Sequence, residues 1–122
     1  MPGQPIQIKI IGSNSSTGEL TFSNDQHTNN GHTEASRGDL IIWHVNPGSG
    51  VDSITAIGMK PSPPSTNIFM PGDPHALGSS ANWQGTINPA TAINAEYNYE
   101  MTWSGTDGTT NNLFDPMIRV KP

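Results

Sequence analysis

The chain has 122 residues, no Cys, and a formal charge of -5 from five Lys or Arg against ten Asp or Glu, a length that favours one domain over 1–122. Gly, Pro, Ser, Thr and Asn make up 60 of the 122 residues while only 12% are charged, so turn formers stand where helix formers usually stand, which argues against a helical bundle. Without Cys there is no disulfide framework, zinc ribbon, iron–sulfur site or thiol nucleophile, and the acidic balance gives no footprint for nucleic acid.

Ile6, Ile8 and Ile10 alternate with Gln7 and Lys9, the period of two that predicts a strand over 5–11 with one buried face. Turn residues at 12–18 lead to a short strand at 19–23, and 24–36 reads as a polar loop holding Asn30-Gly31. In 38–45 both parities are apolar through Leu40, Ile41, Ile42, Trp43 and Val45, which predicts a central strand covered on both sides. After turn chemistry at 46–50, a strand over 51–59 carries Ile54, Ala56 and Ile57.

From 60 to 83 the prolines Pro61, Pro63, Pro64, Pro71 and Pro74 exclude long regular structure apart from a brief strand at 67–70. Ile68, Phe69, Met70, Leu77 and Trp83 predict that this excursion packs down. A strand at 84–88 follows, then the best helical candidate, a turn or two at 89–95. Over 96–104, Tyr97, Tyr99, Met101 and Trp103 alternate with polar residues and predict a strand with its aromatic face in the core. A polar loop at 105–112 leads to a closing strand at 117–121, with Ile118 and Val120 on one side and Arg119 and Lys121 on the other.

About seven or eight short strands spaced by turn signals predict an all-β, two-sheet antiparallel sandwich or Greek-key barrel. No apolar stretch reaches the ~20 residues that cross a bilayer. Met1-Pro2-Gly3 opens no signal peptide, so the cytoplasm is the default expectation.

The run Arg37-Gly38-Asp39-Leu40-Ile41-Ile42-Trp43-His44-Val45-Asn46 resembles the cupredoxin phrase in which a Gly-Asp turn feeds a strand ending Trp-x-x-Asn. Tyr97-Asn98-Tyr99-Glu100-Met101 is similar to the penultimate cupredoxin strand, and Asp115-Pro116-Met117-Ile118-Arg119-Val120 to the final strand after the ligand loop. The resemblance covers most of 37–59 and 96–122 and implies a cupredoxin-like Greek-key sandwich. Cupredoxins hold copper with a His soon after the Gly-Asp strand and with Cys, His and usually Met between the last two strands. Here 46–57 contains no His, and 102–116 contains neither Cys nor His. The scaffold carries over and the blue-copper activity does not.

Four other chemistries have candidate residues. His27, His32, His44 and His75 are the imidazoles from which a His-ligated copper or zinc site would be built, but His27-x4-His32 is not a diagnostic spacing. The loop Ser104 to Asp115 offers Asp107, Asp115, Asn111 and Asn112, hard oxygen donors of the kind calcium accepts, though without EF-hand order. Of three Trp, Trp43 and Trp103 share parity with apolar neighbours, leaving Trp83 as the sugar-stacking candidate. For hydrolysis, Glu96 with Glu100 or Glu34 with Asp39 are the available carboxylate pairs, but Glu100 is placed to meet Arg119 across strands. No nucleophile elbow or Walker loop is present.

The reading is a single non-enzymatic binding or self-assembly domain with no cofactor. Trp83, Phe69 and His75 in the excursion, and Asp107, Asn111 and Asn112 in the carboxyl loop, are its expected ligand-binding residues. Exposed strand edges point to a homo-oligomer, and the expected ligands are carbohydrate or protein, not nucleic acid or membrane. A calcium-dependent carbohydrate-binding module and a His-bound copper or zinc protein are the alternatives.

Overall fold

The structure, a computed structural model, describes residues 5–22, 32–60, 67–69, 74–76 and 82–121. Among these the chain is all-β, with strands β1 (Pro5–Asn14), β2 (Glu19–Phe22), β3 (His32–Ala35), β4 (Leu40–Val45), β5 (Val51–Met59), β6 (His75–Ala76), β7 (Trp83–Thr86), β8 (Glu96–Gly105), β9 (Asn112–Phe114) and β10 (Met117–Val120). No described helix is long and apolar enough to cross a membrane. The helical candidate at 89–95 is instead two successive turns. The Asn88 carbonyl accepts the Thr91 N–H at 3.1 Å, its side-chain oxygen takes the Ala90 N–H at 2.9 Å, and Asn94 sits at φ 64. Side-chain capping and a left-handed residue end each turn before a helix can propagate.

Two mixed sheets result, ordered β2-β1-β4-β7-β6 and β3-β10-β8-β5, with β9 also paired to β8. The all-antiparallel expectation fails at two places: β1 runs parallel to β4, from Pro5 opposite Leu40 to Ile10 opposite Val45, and β10 runs parallel to β3. Alternation fixes which side chains face inward but not the direction of the neighbour. The chain between parallel neighbours passes through the other sheet, by way of β3 between β1 and β4 and of β4 between β3 and β10, which supplies the long crossover that parallel pairing needs. The strands over 40–59, consecutive in the chain, accordingly fall in different sheets. Three short strands form where loop is expected: β3 in 24–36, β6 in the Pro-rich excursion and β9 within the loop Ser104 to Asp115. The expected strand at 67–70 is a single bridge between Phe69 and Ile87; Met70, Leu77 and His27 lie outside the described residues.

The sheets share one core. Ile8, Ile10, Ile41 and Trp43 from the first meet Tyr97, Tyr99, Met101, Trp103, Ile118 and Val120 from the second, all fully buried. Each large apolar side chain buried this way contributes about 1.5–3 kcal/mol relative to exposure. Within this layer Trp43 Nε1 donates to Tyr99 Oη at 3.1 Å, and their rings meet edge to face at 5.8 Å. Burial pushes the Tyr99 phenol far above its ordinary range.

β4 is central as expected, but its two faces differ. Ile41 and Trp43 are buried, whereas Leu40, Ile42 and His44 on the outer face are only half-buried. Arg119 stands opposite Glu34 and Glu96, while Glu100 stands opposite Gly58. The expected Glu100–Arg119 pair therefore does not form, because β10 pairs with the beginning of β8 and Glu100 lies further along. The Arg119 guanidinium donates to Asn94 Oδ1 at 3.1 Å.

Candidate functional site

Three connections meet at one end of the two sheets: the β1–β2 turn, the β4–β5 turn and the β8–β9 loop. In the first, Asn14 Oδ1 accepts the Ser16 N–H at 3.0 Å and its carbonyl accepts the Gly18 N–H at 2.7 Å. Such Asx chemistry is what makes Asn a turn residue. Gly18 has φ 86, and a Cβ there would collide with the Leu113 carbonyl of β9. From the core, Trp103 Nε1 donates to the Gly18 carbonyl at 2.9 Å.

The β4–β5 turn is fixed by Ser49, which is buried. Its carbonyl accepts the Ser13 hydroxyl at 2.7 Å, and its own hydroxyl accepts the Val51 N–H at 3.3 Å. The Gly50 carbonyl in turn accepts the Thr106 N–H at 2.9 Å, tying this turn to the β8–β9 loop.

Asp107 is the hub of that loop. Its Oδ2 accepts the Ser15 hydroxyl at 2.8 Å, and its Oδ1 accepts both the Thr109 hydroxyl at 2.7 Å and the Thr109 N–H at 3.1 Å. Asn112 Nδ2 donates to Thr109 Oγ1 at 2.9 Å. These bonds favour the charged carboxylate, with Thr109 the largest contributor and Ser15 next, and hold Asp107 below its ordinary value of 3.8 despite full exposure. The result is a surface of small polar side chains, Ser15, Thr106, Thr109, Asn111 and Asn112, set in a hydrogen-bonded frame. Asn111 is exposed, at φ 56.

Beside this end lies a shallow cleft of about 160 Å³ lined by Thr17, Glu19, Leu113, Phe114 and Asp115. That is smaller than the roughly 300–1,000 Å³ of pockets that enclose a small molecule. Lys60 Nζ lies 3.6 Å from Asp115 Oδ2.

The sequence-derived candidates divide into two groups. Asp107 and Asn112 come together through Thr109, with Asn111 between them in the chain. Phe69 is 5% exposed, stacked edge to face on Tyr97 at 4.9 Å and tilted against Trp43 at 6.0 Å. Trp83 is half-buried against the core, and its Nε1 donates to the Ile54 carbonyl at 3.1 Å. His75 is exposed on β6, opposite Gln84. Among the described residues no hydrogen bond or ring contact joins these three to the Asp107 loop. No three His, Cys, Asp or Glu among the described residues gather where they could hold a metal.

Sequence reasoning missed Ser13, Ser15, Ser49 and Thr109. The signal for Thr109 was readable, since Asp-Gly-Thr is a local side-chain-to-backbone turn motif. Ser13, Ser15 and Ser49 bond to partners distant in the chain, which no local pattern announces.

Residues 10–110 match the family model described as Domain of unknown function (DUF8788). The chain belongs to this family. The matched span of DUF8788 takes in the β1–β2 and β4–β5 turns, Asp107 and Thr109, and stops before Asn111 and Asn112. Comparison with curated proteins finds no match.

Proposed function

We propose that this DUF8788 chain is a non-enzymatic binding module on a cupredoxin-like two-sheet Greek-key sandwich without a blue-copper centre, and that it recognises carbohydrate or protein through the Asp107 loop end. The scaffold reading is supported by β4 lying at the centre of its sheet and by β10 pairing with β8. The observation that carries the binding role is the three-bond clamp on Asp107, which joins two connections and holds small hydrogen-bonding side chains in place before a ligand arrives. Order present in the free protein lowers the entropy lost on binding, and Ser, Asn and Gly are residues that adaptable binding loops favour.

A calcium-dependent mode is less favoured, because the Asp107 carboxylate already accepts three hydrogen bonds and no three His, Asp or Glu among the described residues gather around a common point. Self-assembly through strand edges is less favoured too, since the register of the long outer strand β5 slips twice. The test is a glycan and peptide array probed with and without chelator, using the wild type and an Asn111→Ala/Asn112→Ala variant. The reading expects hits that survive chelation and are lost in the variant. Hits that need calcium, or that persist in the variant, overturn it.

A further inference from the structure

Among the described residues β5 is the outermost strand of its sheet, nine residues long and paired only with β8. A long outer strand presents main-chain donors and acceptors on which a second copy of the chain can pair. Here that row is interrupted. The register against β8 slips between Val51 and Ser53 and again between Ile54 and Ala56, and each bulge increases twist and re-aims the backbone. At Ile54, where the second slip begins, the indole of Trp83 arrives from β7 of the other sheet and donates to the carbonyl at 3.1 Å. Exposed Asp52 and half-exposed Lys60 bracket the strand with charge.

We propose that Trp83 guards the β5 edge, its indole N–H occupying the Ile54 carbonyl and so blocking strand pairing between two copies of this chain. The aromatic residue that the sequence offers as a sugar platform thereby acts as a contact against self-association. The inference is independent of what the Asp107 loop binds.

Sedimentation equilibrium over a wide concentration range, with amide exchange of β5, compares four proteins. They are the wild type, Trp83→Phe, which keeps an aromatic ring and loses the N–H, Trp83→Ala, and Ile8→Val, a core change away from β5 that also lowers stability. Trp83→Ala is expected to raise the average mass about twofold over the wild type at high concentration, as a dimer requires. Trp83→Phe follows to a lesser extent, and both slow the exchange of β5 amides. Unchanged mass in both Trp83 variants overturns the proposal. So does association of Ile8→Val to the same extent, or a wild type that already pairs through β5. If Trp83→Ala does not fold, Trp83→Phe alone decides.

Discussion

Gly18 and Gly48 have nearly the same backbone conformation, φ 86 and φ 83, and very different surroundings. A Cβ at Gly48 meets nothing within 4 Å, whereas one at Gly18 runs into the Leu113 carbonyl and lies 3.0 Å from its N and 3.1 Å from its C. Gly→Ala at either position costs about 1–2 kcal/mol for placing an L side chain in the left-handed region. At Gly18 the added methyl must also push back the β9 backbone, and the shift threatens the Trp103–Gly18 hydrogen bond, worth about 1 kcal/mol. With backbone displacement of the kind that overpacking causes, another 1–3 kcal/mol or so, Gly18→Ala should cost about 3–6 kcal/mol in all. For a chain of this length each kcal/mol moves Tm by about 4 °C. Thermal and urea unfolding should therefore place Gly48→Ala within about 8 °C of the wild type and Gly18→Ala at least 12 °C or so below it. Equal losses would refute the argument, because only the contact with β9 separates the two sites.

Three further outcomes follow from the geometry. Thr33 is fully buried, and its hydroxyl has no hydrogen-bond partner among the described residues. Thr33→Val keeps the shape, removes the stranded hydroxyl and should stabilise by about 1 kcal/mol in urea unfolding; a loss of stability contradicts this. Trp103→Phe removes the donor to the Gly18 carbonyl along with part of a buried ring and should cost about 2–4 kcal/mol by the same measurement. Because Asp107 titrates lower in the folded chain than in the unfolded one, its contribution is fully present above the ordinary value of 3.8 and is lost as pH falls through the lower folded value. The stability of wild type relative to Asp107→Asn should shrink over that acid window and stay constant above about pH 5; a difference that persists unchanged at lower pH removes the clamp.

How much of this was legible depends on the range of the interactions. β5 runs over 51–59, as its apolar residues predicted, and every member of the Tyr97, Tyr99, Met101, Trp103 alternation is fully buried. Period-two patterning reports burial directly, so such strands are readable. Direction and partner are not, since Ile8 alternates identically whether Trp43 lies on a parallel or an antiparallel neighbour. The short strands β3, β6 and β9 carry too few alternations to stand out from polar loop. Phe69 and Trp83 looked available because they lie in a Pro-rich excursion, yet a loop that packs down spends its large side chains on the core. Gly85 shows the fit: a Cβ there would lie 2.8 Å from the Phe69 ring. Asp107 was readable as a turn residue, but its bond to Ser15 spans 92 positions and exists only once both sheets are in place.

The central claim is that the loop end is ordered before any ligand binds. Its most direct test is amide hydrogen exchange at Gly105, Thr106 and Thr109, whose N–H groups donate to the Thr109 carbonyl, the Gly50 carbonyl and Asp107 Oδ1. The account predicts that all three exchange slowly for loop amides in the wild type and that Asp107→Ala releases Thr109 first. Rapid exchange of all three in the free wild-type protein would contradict it.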